Sequence, residues 1–430
     1  MLNKSRISDP DSGYPMKQQE FELPTPFEKK LYLASPNMHG EELSYIRQAF
    51  ETNWVSTLGE NINEVEAQLA RRLGRSRAVA TSSGTAALHL AVRACAVRLY
   101  GEPDPVGGSL AGKRVFCSDL TFAATVNPVL YEGGEPIFID SEYETWNMDP
   151  AALERAFALY PDVKLVILVH LYGTPAKLKE ICEICRRHGA LLVEDAAESL
   201  GAVYDGSPTG SFGDVSVISF NGNKIITGSS GGMVLCDDPN YEASVRKWST
   251  QSREPVAWYQ HRELGYNYRM SNLIAGVVRG QLPWLEDHME RKRQIYERYC
   301  EALRGLPVSP NPYERMRAVP NHWLSCLLID REAMCSQTRT ADRALYTPEA
   351  GKSCPTQILE AIASLNAEGR PVWKPMHLQP IYQPFPFVAA EEGLDVGSDL
   401  FARGLCLPSD IRMTEEQQRV VAAAVRACFD

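Results

Sequence analysis

No stretch of the 430-residue chain approaches the ~20 consecutive apolar residues of a membrane-spanning helix. An excess of positive charge is also missing: 44 Lys and Arg stand against 54 Asp and Glu, a formal net charge of −10. That balance argues against a nucleic-acid partner or an acidic-membrane surface, so an anionic substrate has to be held by a few local cations. The eleven cysteines follow no disulfide-framework spacing. Cys117, Cys236 and Cys326 lie in apolar runs, as reduced, buried thiols of a cytoplasmic protein do. One CxxC occurs, Cys182 and Cys185 in KEICEICRRHG. It falls inside an amphipathic helical pattern, without a second CxxC or a Cys/His pair at metal-ligand spacing, and reads as structural rather than as a metal centre. Internal repeats and low-complexity segments are absent. The opening letters, MLNKSRISDPDSGYPMKQQ, lack the apolar core of a signal peptide. Residues 1–30 are therefore expected to be a polar, poorly ordered extension.

What is present is an ordinary globular composition, 44% hydrophobic and 23% charged. The length exceeds a usual single core and predicts two domains. Amphipathic helices are expected over Glu41–Phe50 and Asn61–Leu73, then a strand at Ala78–Thr81 and a long helix over Ala86–Leu99. Strands at Arg114–Cys117, Glu135–Asp140 and Lys164–His170 alternate with helices at Thr125–Leu130, Asp149–Leu159 and Lys177–His188. This rhythm means βαβ units and an α/β fold with a mainly parallel central sheet flanked by helices. The large domain is expected over residues 31–280. A linking helix, interrupted by Pro283, then leads into a smaller C-terminal α/β domain, 281–430, with a strand at Trp323–Asp330 and helices at Pro355–Ala367 and Thr414–Cys428. RPVWKPMHLQP, Arg370–Pro380, is too proline-rich for a helix interior and is expected to be loop or edge structure.

The chemistry concentrates between Ala190 and Gly232. Leu191–Val193 and Val215–Phe220 read as strands buried on both faces, and ligands on parallel sheets gather beyond the carboxyl ends of such strands. Asp195 and Lys224 both stand there. A lysine that condenses with an aldehyde and an aspartate that keeps a pyridine nitrogen protonated are the pair a pyridoxal-phosphate enzyme needs. Taken alone, the two residues read equally well as solvated loop charges. Upstream, Ser82-Ser83-Gly84-Thr85 is a small-residue turn opening a helix. It suits a phosphate, through free backbone N–H groups and the helix dipole, or a plain N-cap. Phe122, in DLTFAATVNPV, reads as core by composition. His170 is expected to be a satisfied structural histidine.

The letters around these residues narrow the choice. VEDAAES, SFNGNKIITGSSGG, TSSGTAALHLA, DLTFAATVNPV, GYNYRMSNLIAG and WKPMHLQP resemble, in this order, the blocks of the DegT/DnrJ/EryC1/StrS sugar aminotransferases, over roughly Leu31 to the C-terminus. The resemblance implies a fold-type I enzyme with pyridoxal 5'-phosphate as cofactor. It assigns Lys224 as the lysine that binds the cofactor and Asp195 as the partner of its ring nitrogen. Gly84, Thr85 and Ser219 become phosphate contacts, Phe122 the aromatic stacked on the ring, and Glu198 a neighbour of the phenolic oxygen. Asn267 would reach the cofactor phosphate of a neighbouring subunit, which implies a homodimer with shared active sites. Relatives that dehydrate sugars carry a histidine in place of the lysine, so Lys224 favours transamination.

The amino donor implied is glutamate. The acceptor is a nucleotide-linked keto-sugar, and WKPMHLQP resembles members acting on C4 of a UDP-2-acetamido-4-keto-6-deoxyhexose. Arg269, His322, Lys374 and His377 are candidate holders of this substrate, each equally readable as a solvated or structural polar residue. A dTDP-keto-sugar aminated at C3 or C4 is the alternative substrate. A lyase or desulfurase on the same fold, a non-catalytic regulator that keeps it, and a nucleotide-sugar binding module without cofactor are rival functions. None of the cysteines stands out as a desulfurase nucleophile, and the last two readings have no need of Lys224, Asp195 and the phosphate turn together.

Overall fold

The computed structural model describes residues 25–103, 106–340 and 343–430. The polar extension expected over 1–30 falls, up to residue 24, outside the described residues. From there the chain is anchored by the backbone N–H groups of Phe27 and Leu31, which donate to Leu365 and Asn366 carbonyls at 3.0 Å each.

Two helices, α1 (Glu41–Glu51) and α2 (Glu60–Arg72), precede the large sheet. Its strands are β1 (Arg77–Thr81), β2 (Arg114–Ser118), β3 (Glu135–Ile139), β4 (Leu165–Val169) and β5 (Leu191–Asp195). A small hairpin, β6 (Val203–Tyr204) and β7 (Ser207–Pro208), intervenes before β8 (Val215–Ser219) and β9 (Gly232–Cys236). Helices α3 (Gly84–Tyr100), α4 (Asn127–Tyr131), α5 (Pro150–Leu159), α6 (Leu178–His188) and α7 (Pro239–Ser249) connect or follow these strands. The central strands are buried on both faces, β4 (LVILV) from end to end, because helices cover both sides. Alanine-rich α3 and Trp248 of α7 pack on one face of the sheet, and α5 and α6 on the other. Cys182 and Cys185 lie on α6, whose apolar stripe faces that second layer, and burial pushes both thiols up to about 12.

With β16 (Phe387–Val388) at its far edge, the sheet order is β1-β9-β8-β5-β4-β2-β3-β16, parallel except for β9, which runs antiparallel to both neighbours. The carboxyl ends of β1, β5 and β8 therefore open on one rim, facing the start of α3. Beyond the sheet, α8 (Asn272–Gln281) ends in a 3-10 turn over Leu282–Trp284, and α9 (Leu285–Ala302) continues, so Pro283 breaks the helix as its missing N–H requires.

The C-terminal part holds β10 (Val308–Pro310), β11 (Ala318–Val319), β12 (Cys326–Ile329), the hairpin β13 (Gln337–Arg339) and β14 (Ala344–Tyr346), α10 (Pro355–Ser364), β15 (Arg370–Pro371), β16 (Phe387–Val388), α11 (Val396–Arg403), β17 (Gly404–Cys406) and α12 (Glu415–Ala427). A four-stranded sheet, β10-β12-β17-β15, packs against α9, α10 and α12. Two features differ from the expectation. Strand β12 begins three residues later than Trp323, because Asn321–Trp323 docks on the large domain. The Asn321 side chain donates to the carbonyls of Glu198 and Leu200 at 2.8 and 3.0 Å and accepts the Trp323 N–H at 2.9 Å. The second is β16, which returns to pair in parallel with β3. Residues from both sides of position 281 thus build the large sheet, and a two-residue strand carries no periodicity that would announce it.

Candidate active site

Beyond the rim of β1, β5 and β8 lies a cavity of about 260 Å3. Seven residues singled out from the sequence line it: Gly84, Thr85, Phe122, Asp195, Glu198, Ser219 and Lys224. Each arrives there for a local reason. Asp195 is the last residue of β5 and Ser219 the last of β8. Gly84 and Thr85 open the 17-residue helix α3, whose N-cap Ser83 accepts the Ala86 N–H. The first two N–H groups of the helix have no intrahelical acceptor and carry the positive end of its dipole. A Cβ on Gly84 would come within 2.9 Å of Ser219 Cβ and Oγ, so only glycine lets the helix start and the strand end form one concave seat. Phe122, on the loop after β2, is 60% exposed, an apolar ring presented to the cavity rather than to the core.

The acids are held hard. Asp195 Oδ2 accepts the Thr125 hydroxyl at 2.7 Å and Oδ1 the Ala197 N–H at 3.1 Å. Thr125 is in turn hydrogen-bonded to Thr121 at 2.6 Å. Burial pushes the Asp195 carboxyl up, against those donors and the nearby charge of Lys224. A cation arriving in the cavity would relieve that penalty, which is what a protonated ring nitrogen offers. Glu198 is likewise raised by burial, opposed first by Lys224. Its Oε1 accepts from Lys224 Nζ at 3.2 Å and its Oε2 from the Tyr172 N–H at 2.8 Å. The Lys224 amine also lies 4.2 Å from the centroid of the Trp323 ring. Amine, carboxylate, aromatic face and phosphate seat in one enclosed space fit pyridoxal phosphate in size and in donor chemistry.

Trp323, Trp373 and Thr125 are also among the lining residues and were not singled out from the sequence. Trp323 Nε1 donates to the Asn223 carbonyl at 2.8 Å, and its own carbonyl accepts from buried Lys292 at 2.9 Å. Burial lowers the Lys292 ammonium to about 8. The only signal for Thr125 was its spacing of four from Thr121, and for Trp373 its place beside Lys374 in a family block.

The remaining candidates lie elsewhere. Lys374 lines a second, outer cleft of about 550 Å3 that shares Phe122, Asn223, Trp323 and Trp373 with the inner cavity. Asn267 is exposed on the segment that follows α7, outside its own chain's cavity. Three other candidate substrate holders have partners outside both cavities. Arg269 is buried, paired with Glu66 at 3.0 Å and donating to the Ala80 carbonyl at 3.0 Å, so its charge is spent on the fold. His322 packs on Tyr296, ring centroids 4.4 Å apart, and burial drops its imidazole to about 4. His377 donates through its backbone N–H and Nδ1 to Asp119 at 2.9 and 2.7 Å and reaches Asp395 at 3.2 Å. Burial opposes its charge, but the two carboxylates prevail and raise it to about 10. None of the three lines either cavity. His170, as expected, is structural: Nδ1 accepts the Ala176 N–H at 3.1 Å and the other nitrogen meets Glu194 at 2.9 Å.

Comparison with known proteins agrees with this geometry. The DegT/DnrJ/EryC1/StrS aminotransferase family profile matches residues 36–426. The chain is 44% identical over 396 residues to the "Putative pyridoxal phosphate-dependent aminotransferase EpsN" of Bacillus subtilis (strain 168), covering 91% of this chain and 93% of that one. It is 32% identical over 401 residues to the GDP-perosamine synthase of Caulobacter vibrioides (strain ATCC 19089 / CIP 103742 / CB 15), covering 92% and 97%. Among solved structures, DesI in the presence of its TDP-sugar product superposes with a TM-score of 0.78 at 26% identity, covering 94% of each chain. With its cavity, its residue blocks and its relatives in accord, the chain belongs to the DegT/DnrJ/EryC1/StrS aminotransferase family and is a pyridoxal phosphate-dependent sugar aminotransferase.

Proposed function

We propose that the enzyme moves the amino group of glutamate to C4 of a UDP-2-acetamido-4-keto-6-deoxyhexose, as a cytoplasmic homodimer with shared active sites. The observation that carries the reading is the junction of the two cavities. The inner one holds Lys224 and Asp195, and it meets across Trp373 an outer cleft with Lys374, large enough for a nucleotide. UDP and the C4 position are supported by the likeness of WKPMHLQP to members with that substrate. A GDP-linked keto-sugar is the second reading, favoured by the GDP-perosamine synthase of Caulobacter. The dimer is supported by exposed apolar groups in two places: Phe50, Trp54 and Leu58 at α1 and the turn after it, and Trp258, Tyr259 and Leu264 on the segment that leads to Asn267.

When bound, the cofactor supplies an aldehyde for amines and a ring that accepts the electron pair left by a broken C–H bond. Lys224 would bind it covalently, Asp195 its ring nitrogen, Gly84, Thr85 and Ser219 its phosphate, and Phe122 one ring face. Asn267 would serve the partner's phosphate. With its amine free, Lys224 would be the base that takes up and returns a proton at the substrate carbon. Glu198, its carboxyl raised by burial, takes and returns the proton that Lys224 must shed to act as a base. Phe122, Trp323 and Trp373 exclude water, which strengthens each of these interactions. Donor product leaves before the acceptor enters, giving ping-pong kinetics.

The test is incubation of the yellow protein with glutamate and a panel of UDP-, GDP- and dTDP-linked keto-sugars, the product being solved by NMR. Amination of the UDP-linked 4-keto sugar is expected. Exclusive turnover of another nucleotide would replace the substrate, and a colourless protein that takes up no pyridoxal phosphate would remove the reading altogether.

A further inference from the structure

Tyr172 follows β4 in a left-handed backbone conformation, φ 54° and ψ 20°, and is buried. Bulky residues seldom adopt it, and when they do the surroundings have to enforce it. Gly173 continues the left-handed path at φ 88°, where a Cβ would run into Asn321 Oδ1. This turn lets one residue face two walls of the site. Its N–H donates to Glu198 Oε2 at 2.8 Å, the carboxylate whose other oxygen accepts from Lys224. Its hydroxyl accepts the backbone N–H of Trp373 at 3.0 Å, and the two rings meet edge to face with centroids 5.1 Å apart. Trp373 belongs to both cavities, and its ring centroid lies 5.5 Å from that of Phe122. Burial also pushes the phenol well above its ordinary range, so the oxygen stays a neutral acceptor at any working pH.

We propose that Tyr172 is a positioning residue that fixes Trp373 between the inner cavity and the outer cleft and ties this wall to the carboxylate holding Lys224. The inference rests on the reading of the outer cleft as the seat of the nucleotide. It deepens that reading by naming the residue that sets the shape of the seat. The backbone arm acts on the lysine's carboxylate, and the hydroxyl arm acts on the acceptor's wall. Substitution of the side chain should therefore separate the two half-reactions.

Tyr172→Phe removes only the acceptor oxygen and leaves the Trp373 N–H without its partner. The KM for the nucleotide keto-sugar is expected to rise about tenfold, the scale of one hydrogen bond lost in a buried setting. The KM for the amino donor should stay at its wild-type value. A second readout needs no turnover: UDP-N-acetylglucosamine titrated calorimetrically into cofactor-free protein should bind Tyr172→Phe about tenfold more weakly than wild type. Tyr172→Asn, tolerated in left-handed backbone and keeping the N–H, provides the check if the first variant folds poorly. It should again weaken the nucleotide and spare the donor. Equal changes in both KM values, or none in either variant, would overturn the role of Tyr172 alone. Wild-type protein that binds no nucleotide sugar would overturn the seat and the inference together.

Discussion

The inner cavity and the outer cleft share a tryptophan wall, yet they are built differently. Around the inner cavity Asp195 and Ser219 end β5 and β8, Gly84 and Thr85 open α3, Glu198 and Lys224 lie on the turns that follow the two strands, and the acids have fixed partners of their own. Asp195 is set by Thr125 and Ala197, and Glu198 by Tyr172 and Lys224. Beyond the walls it shares, the outer cleft is lined by Leu33, Ala34, Leu324, Glu368, Phe401 and the run 370–374, mostly loop. Arg370 there is already bound to Glu368 at 2.6 Å. Lys374 makes no ion pair among the described residues. Groups that must meet a reacting atom are mounted on strand ends and the short turns that leave them, and recognition, which has to differ between substrates, is left to longer loops.

Breaking the inner half should have the largest effect. Lys224→Ala is expected to abolish the visible colour and to slow transamination by at least about a thousandfold, the reach of a lost base and covalent anchor. Absorbance and single-turnover assays would read this while circular dichroism stays native. Asp195→Asn keeps the shape and removes the charge, so a loss of roughly a hundredfold in turnover is expected, as for a buried pair deprived of one partner. Added pyridoxal phosphate should not restore it. Retained activity in either variant would mean that the two cavities do not divide chemistry from recognition.

His377→Asn tests the boundary between them. His377 ties the WKPMHLQP loop to Asp119 beyond β2 and to Asp395, the N-cap of α11. Its removal takes the counter-charge from the fully buried Asp119, which keeps only the backbone N–H of residue 377, and should cost about 3 kcal/mol at pH 7 by chemical denaturation. The pH dependence has a definite sign. Held protonated in the fold up to about 10, His377 stabilises fully below its unfolded value near 6.5. That contribution then fades as the pH rises through about 10. The gap between wild type and variant should therefore narrow with alkali. A gap that widened instead would show that His377 is neutral.

The same division decides what the letters revealed. The βα rhythm and the strand ends Asp195 and Ser219 are local: each follows from a buried apolar run and what terminates it. Trp323 and Trp373 are not local. They reach Lys224 and Phe122 only because the C-terminal part folds back, and no spacing within their own segments records that return. Arg269 and His322 show the converse. Arg269 lies within a family block and His322 beside Trp323, but Glu66 and Tyr296, distant or outside their own segments, claim them for the core. Strand β16 escaped because two residues carry no period.

The smallest effect is expected at Lys374, and its size follows from its setting. A diphosphate in the outer cleft would find Arg370 already neutralised by Glu368, which leaves Lys374 as the cation with charge to give. A half-exposed ammonium acts through solvent, so its attraction is modest and falls as the Debye length shrinks below about 10 Å above 0.1 M salt. Lys374→Gln should therefore raise the KM for the nucleotide sugar about tenfold at low ionic strength, the scale of one charge-assisted hydrogen bond. Raising the salt should close most of the difference, and the donor's KM should not move. A KM indifferent to both the substitution and the salt would place the diphosphate elsewhere and leave the outer cleft without its charge.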